Sequence, residues 1–139
     1  MHRTQAVLLG AATALFVAAC SWVPTAFQRT AEDAASTFSS AALTLRLEHG
    51  DTESGAPELT REYAASAFVS YREAIGGVAD ELPRAAGAPT DSGAVTALVA
   101  KVRGATVIVQ QPCLESSCDW QTQIHELEQT RDALLEAAS

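Results

Sequence analysis

Two cysteines near the C-terminal end of the sequence carry its most reactive side chains. Cys113 and Cys118 are separated by four residues and follow Pro112. In an oxidising compartment such a pair usually forms a disulfide, whereas in a reducing one both thiols would be available for redox exchange or metal binding. Helical patterning stops at Pro112 and resumes near Ser116, so a disulfide would staple the corner between two helices. We therefore expect a structural disulfide between Cys113 and Cys118.

Thiol redox chemistry and metal binding are the alternatives for this pair, and each lacks part of its usual pattern. Thioredoxin-like catalysis places two residues between its cysteines, and c-type haem attachment needs a histidine where this sequence has Asp119. His125 could join both thiols at a zinc or copper ion, but three ligands leave a structural zinc site incomplete. The sequence therefore predicts no metal ligand and no cofactor here, with both chemistries kept as alternatives.

The histidines beyond the first twenty residues are His49 and His125, and neither belongs to a catalytic motif. A di-metal site in a helical bundle needs Glu-x-x-His on two helices, but Arg46 and Thr122 stand three residues before them. We expect His49 at the end of the first helix, where a cation meets the helix dipole favourably, and His125 on the surface. The sequence also lacks a nucleophile elbow, a phosphate loop and a nucleotide fingerprint. It therefore predicts no catalytic residues and a protein that is not an enzyme.

The first nineteen residues are organised like an export signal. Arg3 gives the start a positive charge, and Ala6–Ala19 is an uncharged, mostly apolar stretch. This stretch is shorter than the roughly 20 residues that a helix needs to span a bilayer, and it fits the apolar region of a secretory signal. It ends at residues 17–20, which read Val-Ala-Ala-Cys. A branched apolar residue and two small residues before a cysteine resemble the lipobox of bacterial lipoproteins.

The resemblance to bacterial lipoproteins covers the leader and Cys20 alone. It implies that residues 1–19 are a signal peptide that is removed, that Cys20 is acylated, and that lipid holds the mature chain at a membrane. The expected location is extracytoplasmic, anchored to the bacterial cell membrane or the outer membrane. Residues 20–26 would form the acylated N-terminus and a short tether, with Trp22 either at the lipid interface or packed on the base of the domain. An ordinary export signal or an uncleaved anchor, with Cys20 incidental, is the alternative.

Charge and composition restrict the class of partner and of fold. The sequence has 17 acidic and 9 basic residues, which gives a net charge of −8. Nucleic acid is therefore not an expected partner, because its phosphates require a basic surface. Alanine is abundant and only 6% of the residues are aromatic, which favours helices over sheets. A chain of 139 residues has room for one small domain.

Apolar residues recur at three- and four-residue spacing in four segments, which predicts four helices. The first helix would stop at Gly50, and its capping box would pair either Thr25 with Gln28 or Thr30 with Asp33. Its buried face is expected to contain Phe27, Ala31, Ala34, Phe38, Ala42 and Leu45.

The second predicted helix starts near Pro57, a favoured residue for a first turn. Gly76 and Gly77 interrupt it, which predicts a bend or a close approach of two helices at that point. A groove beside these small residues is the basis of the ligand-binding alternative given below. Tyr63 and Tyr71 are expected in its core. The full predicted face is Leu59, Tyr63, Ala67, Tyr71, Ile75, Val78 and Leu82.

The third predicted helix is capped by Thr90 or Asp91 and ends just before the cysteine pair. Its β-branched residues 106–109 also fit a strand, but the apolar helical spacing runs through them, so we favour helix. The fourth helix is expected to begin at Ser116, in a capping box with Asp119. The predicted faces are Val95, Leu98, Val99, Val102, Ala105 and Val109 in the third helix, and Trp120, Ile124, Leu127, Leu134 and Ala138 in the fourth.

Short connections make neighbouring helices antiparallel, so the sequence predicts an all-α, up-down four-helix bundle over residues 27–139. The expected function is that of a lipid-anchored, non-enzymatic interaction or scaffold protein of the cell envelope, with an envelope protein as its partner. The first alternative is a lipoprotein that binds a small ligand or a metal in a groove of the bundle. The second is a thiol redox protein that uses Cys113 and Cys118.

Overall fold

The structure is a computed structural model that describes residues 23–50 and 59–139 of the chain. Its four long helices are α1 (Ala26–Glu48), α2 (Arg61–Ile75), α4 (Ser92–Gln110) and α5 (Trp120–Ala138), and the one-turn helix α3 (Val78–Glu81) follows α2. A 3-10 turn at Leu82–Arg84 comes directly after α3. The described part of the chain contains no strand, so the predicted all-α class is confirmed. The predicted signal peptide at residues 1–19, together with Cys20 and Trp22, lies outside the described residues.

The four long helices form a ring in which each one contacts two neighbours. α1 packs against α2 and α5, and α4 closes the ring by packing against the same two helices. The start of α1 meets the end of α5, where the Gln28 side-chain amide donates to the Ala138 carbonyl oxygen at 3.0 Å. The end of α1 meets the start of α5, where His49 stacks on Trp120. The predicted up-down antiparallel four-helix bundle is therefore confirmed.

α1 supplies the largest share of the buried core. All six residues predicted for its buried face are buried, including Phe27 and Phe38. The small alanines on this face let the neighbouring helices approach closely. Thr25 caps the helix as the first of the two predicted boxes: its hydroxyl accepts from the Gln28 N–H at 3.1 Å, and its own N–H donates to Gln28 Oε1 at 2.8 Å. The helix ends at Glu48 with His49 as its C-cap, and Gly50 follows with a φ of 72°, so the predicted stop is confirmed.

α2 begins later than the sequence predicts. Pro57 lies outside the described residues, but Leu59 and Thr60 are not helical, so a start near Pro57 is wrong. The helix starts at Arg61 because Thr60 caps it, with the Thr60 hydroxyl accepting from the Tyr63 N–H at 3.2 Å. The helix that results is 15 residues long.

The buried face of α2 is also displaced from the predicted one. Tyr63 is 64% exposed, whereas the unpredicted Ala64 and Phe68 are completely buried. The predicted face advanced by four residues at each of its first steps, and in a helix of 3.6 residues per turn such a series rotates steadily around the axis. Tyr71 is half-buried, and its hydroxyl lies 2.8 Å from Thr44 Oγ1 on α1. The core prediction is therefore wrong for Tyr63, whereas Tyr71 packs against the core and meets the ring of Phe68 edge to face.

The predicted bend at the glycine pair is confirmed. α2 ends at Ile75, and Gly77 has a φ of 83°, a left-handed conformation that glycine adopts without a steric penalty. The chain then turns once through α3 and enters the 3-10 turn that contains Pro83. Val78 and Leu82 point from this segment into the core, as predicted.

α4 is helical throughout, including residues 106–109, so the strand alternative is wrong. Asp91 caps it, accepting from the Gly93 N–H at 2.9 Å. By length and composition α4 is the one described helix that could cross a membrane, with a mean hydropathy of 1.4 over its most apolar 18-residue window. Only 28% of that window is buried in the bundle, through residues such as Leu98, Val102 and Val109. α4 therefore combines an apolar composition with a large exposed face.

Candidate functional site

The predicted corner between the last two helices is present and is closed by a disulfide. α4 ends at Gln110 and α5 begins at Trp120, and Cys113 and Cys118 are bonded within the connection, with their Cα atoms 5.8 Å apart. We call the end of the bundle that contains this loop, His49 and Trp120 the disulfide end.

Backbone atoms of Cys113 tie the disulfide loop to two helices. Its N–H donates to Gln123 Oε1 on α5 at 2.7 Å, and its carbonyl oxygen lies 2.7 Å from His49 Nε2 at the end of α1. The Gln123 amide also donates to the Gln111 carbonyl oxygen at 3.3 Å. The loop is thus attached at its start to α5 and to the end of α1.

His49 lies where the sequence predicts, directly after the last turn of α1. Its ring stacks on Trp120, with the centroids 4.5 Å apart and the planes 7° from parallel. A carbonyl oxygen can only accept a hydrogen bond, so the contact with Cys113 requires the proton on Nε2. That nitrogen is therefore engaged in holding the loop and is not free to bind a metal. The stacking partner was missed because Trp120 is 71 residues away in sequence, and no local spacing relates the two rings.

Glu48 places a buried negative charge beside this histidine. Only 8% of its side chain is exposed, and its Oε2 lies 3.1 Å from His49 Nε2 without accepting a hydrogen bond. Its Oε1 lies 3.9 Å from Nε of Arg61, which is largely exposed. Burying a carboxylate with an unfilled acceptor is unfavourable, and the positive charge of Arg61 offsets part of that cost.

The two sulfurs of the disulfide differ in access to solvent. Cys113 is 4% exposed, whereas Cys118 is an exposed residue next to the start of α5. A thiolate from outside could therefore reach Cys118 Sγ and not Cys113 Sγ, because exchange requires direct attack on a sulfur. This asymmetry would direct any thiol exchange to Cys118.

α5 begins four residues later than predicted, so the Ser116 capping box is wrong. Asp119 is itself the cap: its Oδ1 accepts from the Thr122 N–H at 3.0 Å and its Oδ2 from the Thr122 hydroxyl at 2.6 Å. These hydrogen bonds stabilise the ionised carboxylate and lower the pKa of Asp119. Ser116 lies inside the disulfide ring, and the ring is closed before the chain becomes helical.

The acidic residues of α5 are not all solvated. Glu128 is ion-paired with Arg46 of α1 and lies 3.8 Å from Arg131, so it links two helices. Arg131 also donates to Asp132 Oδ1 at 2.8 Å, which raises the arginine pKa above its already high value. His125 is on the surface, as predicted, and contacts only Gln129 among the hydrogen bonds of the described residues.

A second candidate site is a cleft at the glycine bend, where the sequence predicts a groove. It has a volume of about 480 Å³ and is lined by Ala26, Gly77, Asp80, Glu81, Arg84 and Ala85. Asp80, Glu81 and Arg84 give this lining charges of both signs. In the ranges 23–50 and 59–139, no group of three or more histidine, cysteine, aspartate or glutamate side chains is arranged to hold a metal ion.

Comparison with known proteins adds no relative to this description. The sequence matches no known protein family, no characterised protein and no solved structure. The fold and the corner together define the class: an all-α bundle whose last two helices are joined by a disulfide loop.

Proposed function

We propose that this protein is a lipid-anchored, non-enzymatic scaffold of the bacterial cell envelope. Cys20 would carry the lipid, and the bundle would hold another envelope protein close to the membrane. The protein would act outside the cytoplasm, where its disulfide is stable. The lipobox-like residues 17–20 are the basis for the anchor, and the geometry of the bundle is the basis for the scaffold role.

The observation that carries the proposal is the short stretch of sequence between Cys20 and the first helix of the bundle. α1 begins at Ala26, six residues after Cys20, and Phe27 is already part of the core. An extended chain of six residues reaches about 20 Å, so the bundle would stay close to the bilayer. α1 has 23 residues and is about 34 Å long at 1.5 Å per residue, which places the disulfide end at that distance from the start of α1.

The scaffold role is supported by the exposed apolar side chains between the two ends. Tyr63 is 64% exposed, Val69 49% and Val107 56%. They belong to α2 and α4, which are neighbours in the ring. Exposed apolar side chains mark a protein-contact surface where they form one patch, and we infer that α2 and α4 form such a patch.

Fractionation of cells tests the anchor directly. The full-length protein and its Cys20→Ala variant are expressed in bacteria, separated into soluble and membrane fractions, and weighed intact without reductant. We expect the unaltered protein in the membrane fraction, with the mass of residues 20–139 plus acyl groups minus two hydrogens for the disulfide. Cys118→Ser is the matched control, because it changes a cysteine and leaves the anchor. An unacylated mass for the unaltered protein would contradict the proposal.

Crosslinking in intact cells tests the scaffold role. A photoreactive residue at Val107 is expected to capture one defined envelope protein, and the same probe at the exposed His125 serves as the control. If neither position captures a protein, or both capture the same mixture, the scaffold role is wrong even when the anchor is confirmed.

Ligand binding is the second candidate, favoured by the cleft of about 480 Å³ at Gly77. Its mixed charges suit a small polar ligand, and its volume lies within the range of small-molecule sites. Native mass spectrometry of the protein taken from its own membranes would reveal a retained ligand or metal. Loss of that mass in Arg84→Ala would assign it to the cleft.

Thiol redox chemistry is the third candidate, favoured by the exposure of Cys118 beside the buried Cys113. Attack by an external thiolate would form a mixed disulfide at Cys118 and release Cys113 as a thiolate. Replacing both cysteines with serine would abolish such an activity and leave the bundle folded. Loss of stability alone would show that the pair is structural.

A further inference from the structure

An apolar groove runs between α4 and α5 at the end of the bundle where α1 begins. Its walls are Pro89, Ala94, Ala97, Leu98, Ala133 and Ala137, and its volume is about 300 Å³. Lys101 and Glu136 stand at its edges. We call this the α4–α5 groove. One of its two walls belongs to α4, the apolar helix described above. Only 28% of the most apolar 18-residue window of α4 is buried in the bundle.

The N-terminal segment enters the bundle beside this groove. Thr25 packs so closely against Gly87 that a Cβ on the glycine would lie 2.5 Å from the threonine Cβ. The Phe27 N–H donates to the Ala86 carbonyl oxygen at 2.9 Å. Gly87 precedes the groove residue Pro89 by two positions. On the other wall, the Gln28 amide bonds to Ala138, the residue after Ala137 of the groove. Thr25 therefore lies beside one end of the α4–α5 groove.

We propose that the indole of Trp22 occupies the α4–α5 groove, so that the segment before α1 is folded back onto the bundle. Trp22 lies three residues before Thr25, and three extended residues reach about 10 Å. That span, together with the length of the side chain, covers the distance from Thr25 to Pro89, which lies two positions after Gly87, the residue that Thr25 contacts.

The chemistry of the groove suits an indole. An indole ring is stabilised by contact with apolar side chains, and its N–H needs a hydrogen-bond acceptor when the ring is buried. Glu136 offers a carboxylate at the edge, and Lys101, the one lysine in the sequence, can place its ammonium over the ring face. A groove of about 300 Å³ is at the small end of binding pockets, which fits one ring system better than a lipid tail or a large ligand.

Fluorescence quenching in vesicles tests this placement. The sequence has two tryptophans, so Trp120→Phe leaves Trp22 as the one emitter and keeps an aromatic ring against His49. The full-length variant is reconstituted into phosphatidylcholine–phosphatidylglycerol vesicles, with and without brominated phospholipid. Acrylamide then reports contact with water, and the brominated lipid reports contact with the bilayer. We expect that neither quencher reaches Trp22 efficiently.

Charge introduced into the groove should expel the indole. Ala97 lines the α4–α5 groove, so Ala97→Glu places a charge inside it. Ala100 lies on the same helix outside the groove, so Ala100→Glu is the matched control. Pocket-bound groups lose 70–90% of their surface, so acrylamide quenching of Trp22 should rise by about three- to tenfold in Ala97→Glu and stay unchanged in Ala100→Glu. Ala94→Glu is the second groove variant, for use if Ala97→Glu does not reach the helical circular-dichroism signal of the parent.

Two results would overturn the proposal. Strong quenching by the brominated lipid would place Trp22 at the membrane interface, and strong acrylamide quenching that Ala97→Glu does not change would place it in water. The result with acrylamide does not depend on whether Cys20 is acylated, and fractionation measures the anchor separately. A protein that is not lipidated can therefore still have Trp22 in the groove, and a lipidated one can fail this test.

Discussion

The two ends of the bundle are held together by different kinds of contact. At the end where α1 begins, the contacts are made mainly by backbone atoms and by a cap. Thr25 and Gln28 form the capping box, the Phe27 N–H bonds to the Ala86 carbonyl oxygen, and Gly87 lies against Thr25 with no space between them. We call this the N-terminal end. The last two of these contacts join the start of α1 to the segment that follows the 3-10 turn.

The disulfide end relies on side chains from three segments. His49 stacks on Trp120 and contacts the Cys113 carbonyl oxygen, while Cys113 is bonded to Cys118 and held again by Gln123. Several contacts hold the same loop there, whereas at the N-terminal end the close approach of Thr25 and Gly87 leaves no room for a side chain. We therefore expect a single added methyl group to be more damaging at the N-terminal end than the loss of a covalent bond at the disulfide end.

Gly87→Ala should give the largest effect. Its φ of 89° disfavours any side chain, and the new Cβ would lie 2.5 Å from both Cβ and Oγ1 of Thr25. The strained backbone alone is expected to lower the free energy of unfolding by about 1–3 kcal/mol, and the steric overlap adds to that loss. Urea denaturation followed by circular dichroism measures the change.

Gly104→Ala is the matched control for this substitution. Gly104 lies within α4, and a Cβ there would meet nothing within 4 Å. The same exchange should therefore stabilise the protein by up to about 1 kcal/mol, the helix-propensity difference between glycine and alanine. Equal effects at the two glycines would show that the contact between Thr25 and Gly87 does not hold the N-terminal end.

Removing the disulfide should have the second largest effect. The entropy of closing a ring this small corresponds to about 2 kcal/mol, which Cys113→Ser with Cys118→Ser should remove from the free energy of unfolding. Hydrogen exchange measured by mass spectrometry is expected to show faster exchange at the first turn of α5 and unchanged exchange in the first turn of α1. Reduction of the unaltered protein should reproduce this pattern. Faster exchange at both ends would mean that the two ends are not independent.

The sequence predicted the fold class because the apolar spacing within each helix is a local property. The buried face of α1 is an example: its residues combine three- and four-residue steps, so they remain on one side of the helix. The face predicted for α2 depended on repeated four-residue steps, and its prediction failed at Tyr63 for that reason. The disulfide was predictable because the two cysteines are close in sequence and flank a helix boundary.

The contacts around the disulfide could not be predicted from the sequence. His49 and Trp120 are far apart along the chain, and only the packing of α1 against α5 brings their rings together. The start of α5 was misplaced for a related reason. Ser116 and Asp119 are both good capping residues, and local preference cannot choose between them. The disulfide ring decides the choice, because it includes Ser116 and closes just before Asp119.

The caps of the two ends should give the smallest effects. Thr25→Ala removes the hydroxyl that accepts from Gln28, and losing such a cap lowers the free energy of unfolding by about 1 kcal/mol. Asp119→Ala removes the corresponding acceptor at the disulfide end, where the loop keeps its other attachments. We therefore expect a smaller loss for Asp119→Ala than for Thr25→Ala, in thermal unfolding at neutral pH.

The dependence on pH separates these two caps. Hydrogen bonds from Thr122 lower the pKa of Asp119 in the folded protein below the ordinary value of 3.8, so the contribution of this carboxylate is fully present above that value. It is lost as the pH falls through the lowered pKa, because the proton then binds equally to the folded and unfolded chains. The difference in stability between the unaltered protein and Asp119→Ala should therefore shrink below a pH of about 4, whereas the Thr25→Ala difference should persist, since a hydroxyl does not titrate there. A difference for Asp119→Ala that stays constant down to strong acid would show that the contribution of this cap comes from its shape and not its charge.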